Sequence, residues 1–283
     1  MRSSTRLRFA AISAALAIGA APAFADETPF AAIYTTDLLP AGGMEVEQWL
    51  TVENGRPFES WHNVAGRTEF EYGVTNRLQL ALYANYDYRR VRPFDVRADD
   101  ARETDLHVKS VSGEAIYRLL SSYAHPIGLA LYVEPAIGPD FREIEAKLLI
   151  DKRFLDDRLV IAANPIVEYE WEREADGWHK NTELQLLAGA AYRLAPGWFG
   201  GVEFKAKREL DGISVFGSAD PAANSYSIGP TLHYATSEWW ATLGVQAQLP
   251  FARRLNGEEF ETVNGFAHEE PRYSVRLRFG VEL

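Results

Sequence analysis

Residues 273–283 read YSVRLRFGVEL. In an extended chain Tyr273, Val275, Leu277, Phe279, Val281 and Leu283 fall on one side, and Ser274, Arg276, Arg278 and Glu282, with Arg272 just before them, on the other. Period two with one apolar and one polar face is the mark of a β-strand between two different media. About ten such residues cross a bilayer as a tilted strand. The longest nearly apolar stretch in the rest of the chain beyond its N-terminal segment, Leu159 to Val167, is nine residues interrupted by Asn164. A spanning helix needs about twenty, so any crossing of a membrane is expected through strands.

Working outward from this terminus, the same alternation recurs in twelve runs. They are expected at 44–53, 61–74, 77–90, 106–119, 127–138, 141–153, 158–171, 180–194, 197–209, 224–235, 238–250 and 270–283. An open sheet edge in lipid would leave unpaired backbone groups at several kcal/mol each, so such strands must close on themselves. The expected fold is all-β, a transmembrane antiparallel up-and-down β-barrel of about twelve strands over residues 44–283. An even count puts both ends of the barrel on one side. The connections on that side are then all short, and the long polar segments 91–105, 210–223 and 251–269 lie opposite, as short periplasmic turns and longer outer loops do in these barrels.

The faces agree with the count. Leu78, Leu80, Leu82, Ala84, Tyr86 and Tyr88 oppose Gln79, Ala81, Tyr83, Asn85 and Asp87; Ile144, Ala146, Leu148 and Ile150 oppose Glu143, Glu145, Lys147 and Asp151. The charged faces are assigned to the lumen, because Arg or Lys facing lipid at mid-membrane costs about 2–4 kcal/mol. Outward aromatics sort by strand end. Tyr72, Tyr117, Tyr192, Trp198, Tyr234 and Trp239 fall at one rim, and Tyr86, Tyr88, Tyr169, Trp171, Tyr226 and Tyr273 at the other, as a two-belt girdle with polar tips among headgroups. A soluble β-sandwich gives no reason for such sorting.

The N-terminus supplies an address. Arg2, Arg6 and Arg8, the uncharged apolar run Phe9 to Ala20, and Ala23-Phe24-Ala25 have the pattern of a cleaved secretory signal peptide over residues 1–25. The mature chain is expected to begin at Asp26 with a periplasmic lead, 26–43, and to reach the bacterial outer membrane through the periplasm. Removing the signal leaves 26 basic against 40 acidic residues, a poor composition for binding nucleic acid. The chain has no cysteine, which excludes disulfides, thiol catalysis and thiolate metal sites. No cofactor or metal is expected.

Phe279, Val281 and Leu283 resemble the C-terminal signal by which outer-membrane barrels are recognised by the assembly machinery, with Leu283 in the place of the usual aromatic. The stretches Thr35 to Pro40, Glu71 to Leu80 and Ala130 to Pro135 resemble an uncharacterised family of proteobacterial outer-membrane proteins. That family is similar to outer-membrane channels encoded beside aromatic-degradation pathways. The resemblance implies a barrel and a channel, and brings no catalytic or binding residues with it.

Function is therefore sought in the lumen. The expected lining includes the acids Glu45, Glu47, Glu69, Glu71, Glu114, Glu134, Glu143, Glu145, Glu168, Glu170, Glu183 and Glu203 and the bases Arg67, Lys109, Arg118, Lys147, Arg193, Lys205, Lys207, Arg272, Arg276 and Arg278. Arg272, Arg276 and Arg278 in the last strand and Glu45 and Glu47 in the first are suited to closing the barrel. Acid and base rows set up a transverse field, and the expected function is a narrow passive channel for small hydrophilic or aromatic solutes. The alternative is a closed barrel whose ion pairs fill the lumen. An outer-membrane lipid hydrolase is the enzymatic reading: Ser60, His62 and Asn63 are close in sequence, but no Gly-x-Ser-x-Gly elbow is present. The acidic loop residues Asp95, Asp99, Asp100, Glu103 and Asp105, and Glu258, Glu259 and Glu261, read as solvated loops rather than a calcium cage, with lipids and lipopolysaccharide as neighbours. The lead 26–43 is open to two readings, a plug in the lumen or a loose tail.

Overall fold

The computed structural model describes residues 28–56, 59–93, 103–174, 176–213, 220–254, 262–267 and 270–283. The signal segment, the acids Asp95, Asp99, Asp100, Glu258, Glu259 and Glu261, and His268 lie outside the described residues, as do the side chains of Glu103 and Asp105. Twelve long strands form the wall: β1 (Met44–Arg56), β2 (Glu59–Thr75), β3 (Leu78–Pro93), β4 (Glu103–Leu120), β5 (Gly128–Ile137), β6 (Phe141–Phe154), β7 (Leu159–Glu174), β8 (Gly177–Ala195), β9 (Trp198–Asp211), β10 (Asp220–Ala235), β11 (Trp239–Gln248) and β15 (Tyr273–Glu282). Each pairs antiparallel with its neighbour, and β15 pairs with both β11 and β1, so the barrel has no free edge. Number and order are those read from the alternation. Most strands run further on the long-loop side than expected, with β7 reaching Glu174 and β8 starting at Gly177, because the ladder continues past the apolar band where alternation fades, whereas β5, β11 and β15 stop one to three residues short.

Between β11 and β15, where a plain polar loop was expected, three two-residue strands appear: β12 (Arg253–Arg254), β13 (Thr262–Val263) and β14 (Phe266–Ala267). The turn joining β13 to β14 is Asn264-Gly265, with φ of 53° and 82°, the pairing that a two-residue hairpin turn requires. Ala267 N–H donates to Gln248 Oε1 at 2.7 Å, which ties this hairpin to the wall.

Parity sets the faces as expected. In β1 the odd positions Glu45, Glu47, Trp49 and Thr51 are buried toward the lumen, while Met44, Val46 and Leu50 are exposed outward for lipid. What fills the lumen at the short-turn end, the periplasmic one in such barrels, is the lead. Thr28–Gly43 folds back inside the wall rather than hanging from it, and Phe30, Ile33, Thr36, Leu38 and Leu39 are buried. Phe30 and Ile33 pack on Val160, Ala162, Ile166, Leu187 and Ala191, and Tyr34 and Leu38 on Trp49, Ile116, Ala130, Tyr132 and Leu149. Fully burying an aromatic or large aliphatic side chain is worth about 1.5–3 kcal/mol, so the lead itself makes the apolar core that the polar lumen of an empty barrel lacks. The wall makes room for it with glycine: a Cβ on Gly189 would lie 2.7 Å from Ile33 Cδ1, and one on Gly244 would lie 2.4 Å from Ala31 Cβ.

Candidate functional site

A backbone lying in a lumen without strand partners has N–H and C=O groups to satisfy. The N–H groups of the lead are met by four wall side chains, each from a different strand. Glu203 of β9 accepts the N–H groups of Ala31 and Ala32 at 2.7 and 2.8 Å. Asn164 of β7 accepts the Tyr34 N–H at 2.8 Å and donates to the Tyr34 carbonyl at 3.0 Å. Asp151 of β6 accepts the Thr36 N–H at 2.9 Å, and Gln79 of β3 accepts the Leu39 N–H at 2.8 Å. Arg118 donates to the Thr36 carbonyl at 3.2 Å, and Arg153 pairs with Asp37. Burial pushes the Asp37 carboxyl upward in pKa, and Arg153 works against that. At the exit, Gly42 N–H bonds Gly73 of β2 at 2.7 Å and hands the chain to β1.

Above the lead, toward the long loops, the lumen holds a cavity of about 390 Å³ whose floor is Ala31 to Tyr34. Its lining carries both signs of charge, partly paired. Arg276 and Arg67 lie on β15 and β2, and Glu143, Glu145 and Glu168 on β6 and β7, half the circumference away in the strand order. The arginines gather over one indole, with Arg278, Arg276 and Arg67 at 4.0, 5.4 and 5.5 Å from the Trp49 ring centre. Tyr34 joins this aromatic floor, 6.3 Å from Trp49 and 5.3 Å from Tyr132. Eight acidic and five basic residues line the cavity.

Of the expected lumen residues, Arg67, Lys109, Glu134, Glu143, Glu145, Lys147, Glu168, Glu203, Lys205 and Arg276 line the cavity. Glu45, Glu47, Glu69 and Glu71 are buried lower on the wall, at the short-turn ends of β1 and β2. Lys207 sits beside the cavity, paired with Glu183 and, at 2.8 Å, with Glu270. Several charges are paired: Arg67 with Glu134 at 3.1 Å, Lys147 with Glu145 at 2.7 Å, and Lys205 with Glu270 at 3.3 Å. In the closure between β15 and β1, Arg278 pairs with Glu47 at 3.0 Å. Arg276 instead donates to Thr51 Oγ1 at 2.9 Å, and Glu45 accepts from the Trp240 indole at 2.7 Å. Arg272 precedes β15, its guanidinium 3.7 Å from the Phe266 ring centre.

Of the aromatic girdle, Tyr72, Tyr117, Tyr192, Trp198 and Trp239 are exposed at the short-turn rim, with Tyr234 half-buried between two tryptophans. At the other rim Tyr88 and Tyr273 are exposed, and Tyr86, Tyr169, Trp171 and Tyr226 half-buried. Phe279 and Leu283 face outward with Val281 between them. The Ser60, His62 and Asn63 grouping is split by parity: Asn63 is buried in the lumen and donates to Glu53, whereas His62 contacts Asn54 at 2.6 Å. Sequence reasoning did not foresee Asn164, Asp151 and Gln79 as caps of the lead. The available signal was Asn164 itself, a polar residue interrupting the most apolar run of the chain.

The closed ring of twelve antiparallel strands, apolar outside and charged inside, defines an outer-membrane β-barrel. The chain belongs to the family of unknown function DUF6662, whose profile matches residues 22–283. Among solved structures it is similar to the COG4313 outer membrane channel from Pseudomonas putida F1, with a TM-score of 0.57 and 12% identity over 88% of this chain and 98% of that one. The NanC porin (TM-score 0.49, 10% identity, 85% of this chain and 100% of that one) and the CymD monoaromatic hydrocarbon channel (0.43, 9%, 86% and 89%) are also among its structural neighbours. At these identities the likeness speaks for the fold. No curated protein matches the sequence.

Proposed function

We propose that this protein is a narrow passive channel of the bacterial outer membrane for small hydrophilic or aromatic solutes, with the lead as its barrier. The carrying observation is the cavity above Ala31 to Tyr34, lined by charges of both signs, with Arg276 and Arg67 across from Glu143 and Glu168, and by aromatic rings. A field across the lumen orients solutes that carry separated charge, and the Trp49, Tyr34 and Tyr132 rings offer faces to flat ones. The barrier is a folded-back segment held by side-chain hydrogen bonds rather than part of the wall, so it can leave while the strand ladder stays whole. Membrane lipids and lipopolysaccharide surround the apolar face, and Phe279, Val281 and Leu283 present the ending to the barrel-assembly machinery after export by the N-terminal signal.

Single-channel recording of the refolded protein in planar bilayers tests this, with and without residues 28–43. Rare, small steps from the intact chain and frequent, larger steps from the truncated one are expected. Folding of both is checked by heat-modifiable migration. A well-folded truncated barrel that stays silent favours the second reading, a permanently closed structural barrel, which the burial of Phe30 and Ile33 at the floor supports.

A further inference from the structure

Glu47 of β1 and Glu69 of β2 are register partners facing the lumen, and Glu71 is the next inward residue of β2. One carboxylate oxygen of each lies within 4.8 Å of those of the other two. All three side chains are at least nine-tenths buried; Glu69 is 1% exposed, no N–H or hydroxyl donor reaches its oxygens, and its side-chain hydrogen-bond partner is the carboxyl of Glu71. Like charges directly opposite on neighbouring strands destabilise a sheet, and desolvated carboxylates are costly without a counter-charge. Two carboxyls in contact away from water need a proton or a cation between them.

The charges identify it. Glu47 is matched by Arg278, which reaches both its oxygens at 3.0 and 3.2 Å. Arg67, whose charge also acts on Glu69, makes its ion pair with Glu134 at 3.1 Å. Glu71 receives one neutral donor, Gln79 Nε2 at 2.7 Å. When ionised, Glu69 and Glu71 carry two negative charges, which one divalent cation balances. Three carboxylates with no fixed octahedral frame suit calcium, which accepts flexible oxygen cages, better than magnesium. The place is sealed by the lead: Leu38 and Tyr34 pack on Trp49, whose indole donates to Glu47 at 2.5 Å, and Gln79 joins Glu71 to the Leu39 N–H.

We propose that Glu47, Glu69 and Glu71 form a buried binding site for a calcium-sized divalent cation beside the docked lead. This stands apart from any channel activity. Terbium is the probe, because Trp49 is hydrogen-bonded to a ligand carboxylate and can sensitise its emission. The full mature protein, refolded with chelator and then titrated with Tb³⁺, or refolded with Tb³⁺ present, is expected to give sensitised emission that Ca²⁺ displaces. Glu69→Gln should weaken binding at least tenfold and Trp49→Phe should dim the emission, while Glu168→Gln, in a second acidic group on β6 and β7, should leave both unchanged. Should Glu69→Gln fail to fold, the wild-type unfolding midpoint decides, since Ca²⁺ must raise it over chelator by mass action. No sensitised emission under either refolding condition, emission that survives Glu69→Gln, or a midpoint indifferent to Ca²⁺ overturns the site in favour of carboxyls that share protons.

Discussion

Asn164 and Tyr34 form a reciprocal pair: the Tyr34 N–H donates to Asn164 Oδ1 at 2.8 Å, and Asn164 Nδ2 donates to the Tyr34 carbonyl at 3.0 Å. A single wall side chain thereby does for the lead what a neighbouring strand would do, and it does so 130 residues away in sequence. Leaving a buried backbone group unsatisfied costs about 1–3 kcal/mol. Asn164→Leu keeps the volume and removes both bonds. Hydrogen exchange followed by mass spectrometry should then show faster exchange in the peptide containing Tyr34, with the β7 and β8 ladders unchanged. Unaltered protection of the lead would show that its packing, not this pair, holds it.

A second handle on the lead is steric. Gly244 faces Ala31 so closely that an added Cβ would stand 2.4 Å from the Ala31 Cβ. Both neighbours belong to backbones that cannot slide apart cheaply, one in a closed ladder and one tied to Glu203. Gly244→Val should displace the lead from the wall while β-branching suits the strand. A barrel that still migrates as folded but cleaves within residues 28–43 under mild protease is the expected outcome, against a resistant wild type. Equal resistance of the two proteins would contradict the close fit.

At the short-turn rim the rings run in series, Trp198 to Tyr234 at 4.6 Å, Tyr234 to Trp239 at 5.4 Å and Trp239 to Phe279 at 6.0 Å. They tie β9, β10, β11 and β15 across the region where the last strand closes the barrel. Each such pair is worth about 0.5–1.5 kcal/mol beyond area burial, so Trp239→Ala, which removes two, should cost about 1–3 kcal/mol. Urea unfolding in lipid vesicles measures this. A loss no larger than that of Trp178→Ala, at the other end of the wall, would deny the belt its role in closure.

The wall was legible in the sequence because lipid and lumen impose opposite demands on alternate residues, and a period of two survives in any register. Leu277, Arg278 and Phe279 state their faces by type alone. The lead was not legible, because nothing in Thr28–Gly43 alternates and its partners are scattered singly over β3, β6, β7 and β9. Glu203 was recognised as an inward acid, yet sequence carries no mark distinguishing a carboxylate that caps Ala31 and Ala32 from one, such as Glu168, that lines the cavity without holding the lead. The same holds for Glu69, whose isolation depends on a register that periodicity cannot give. Asn264-Gly265 was a missed local signal, since its turn chemistry is readable without any tertiary knowledge.

Glu270 gives the cavity a chargeable lever that sits outside the strands. Burial alone would raise its pKa, but Lys205 and Lys207 outweigh burial and hold the carboxyl well below the usual range. For a depressed carboxyl the stabilisation is fully present above the unfolded value, about 4.3, and is lost only as pH falls through the lower folded value. The tether and its charge should thus persist through mildly acid conditions. Glu270→Gln removes one negative charge and leaves Lys205, 3.3 Å away, without its partner, so the cavity's excess of acids shrinks. In a lead-deleted background, reversal potentials under a salt gradient should show cation preference for the parent and a shift toward anions in the variant. The difference between parent and variant should persist from neutral pH down to about 5, since the Glu270 carboxyl stays ionised there. A variant as cation-selective as its parent would mean that the field is set elsewhere on the wall, by Glu143, Glu145 and Glu168.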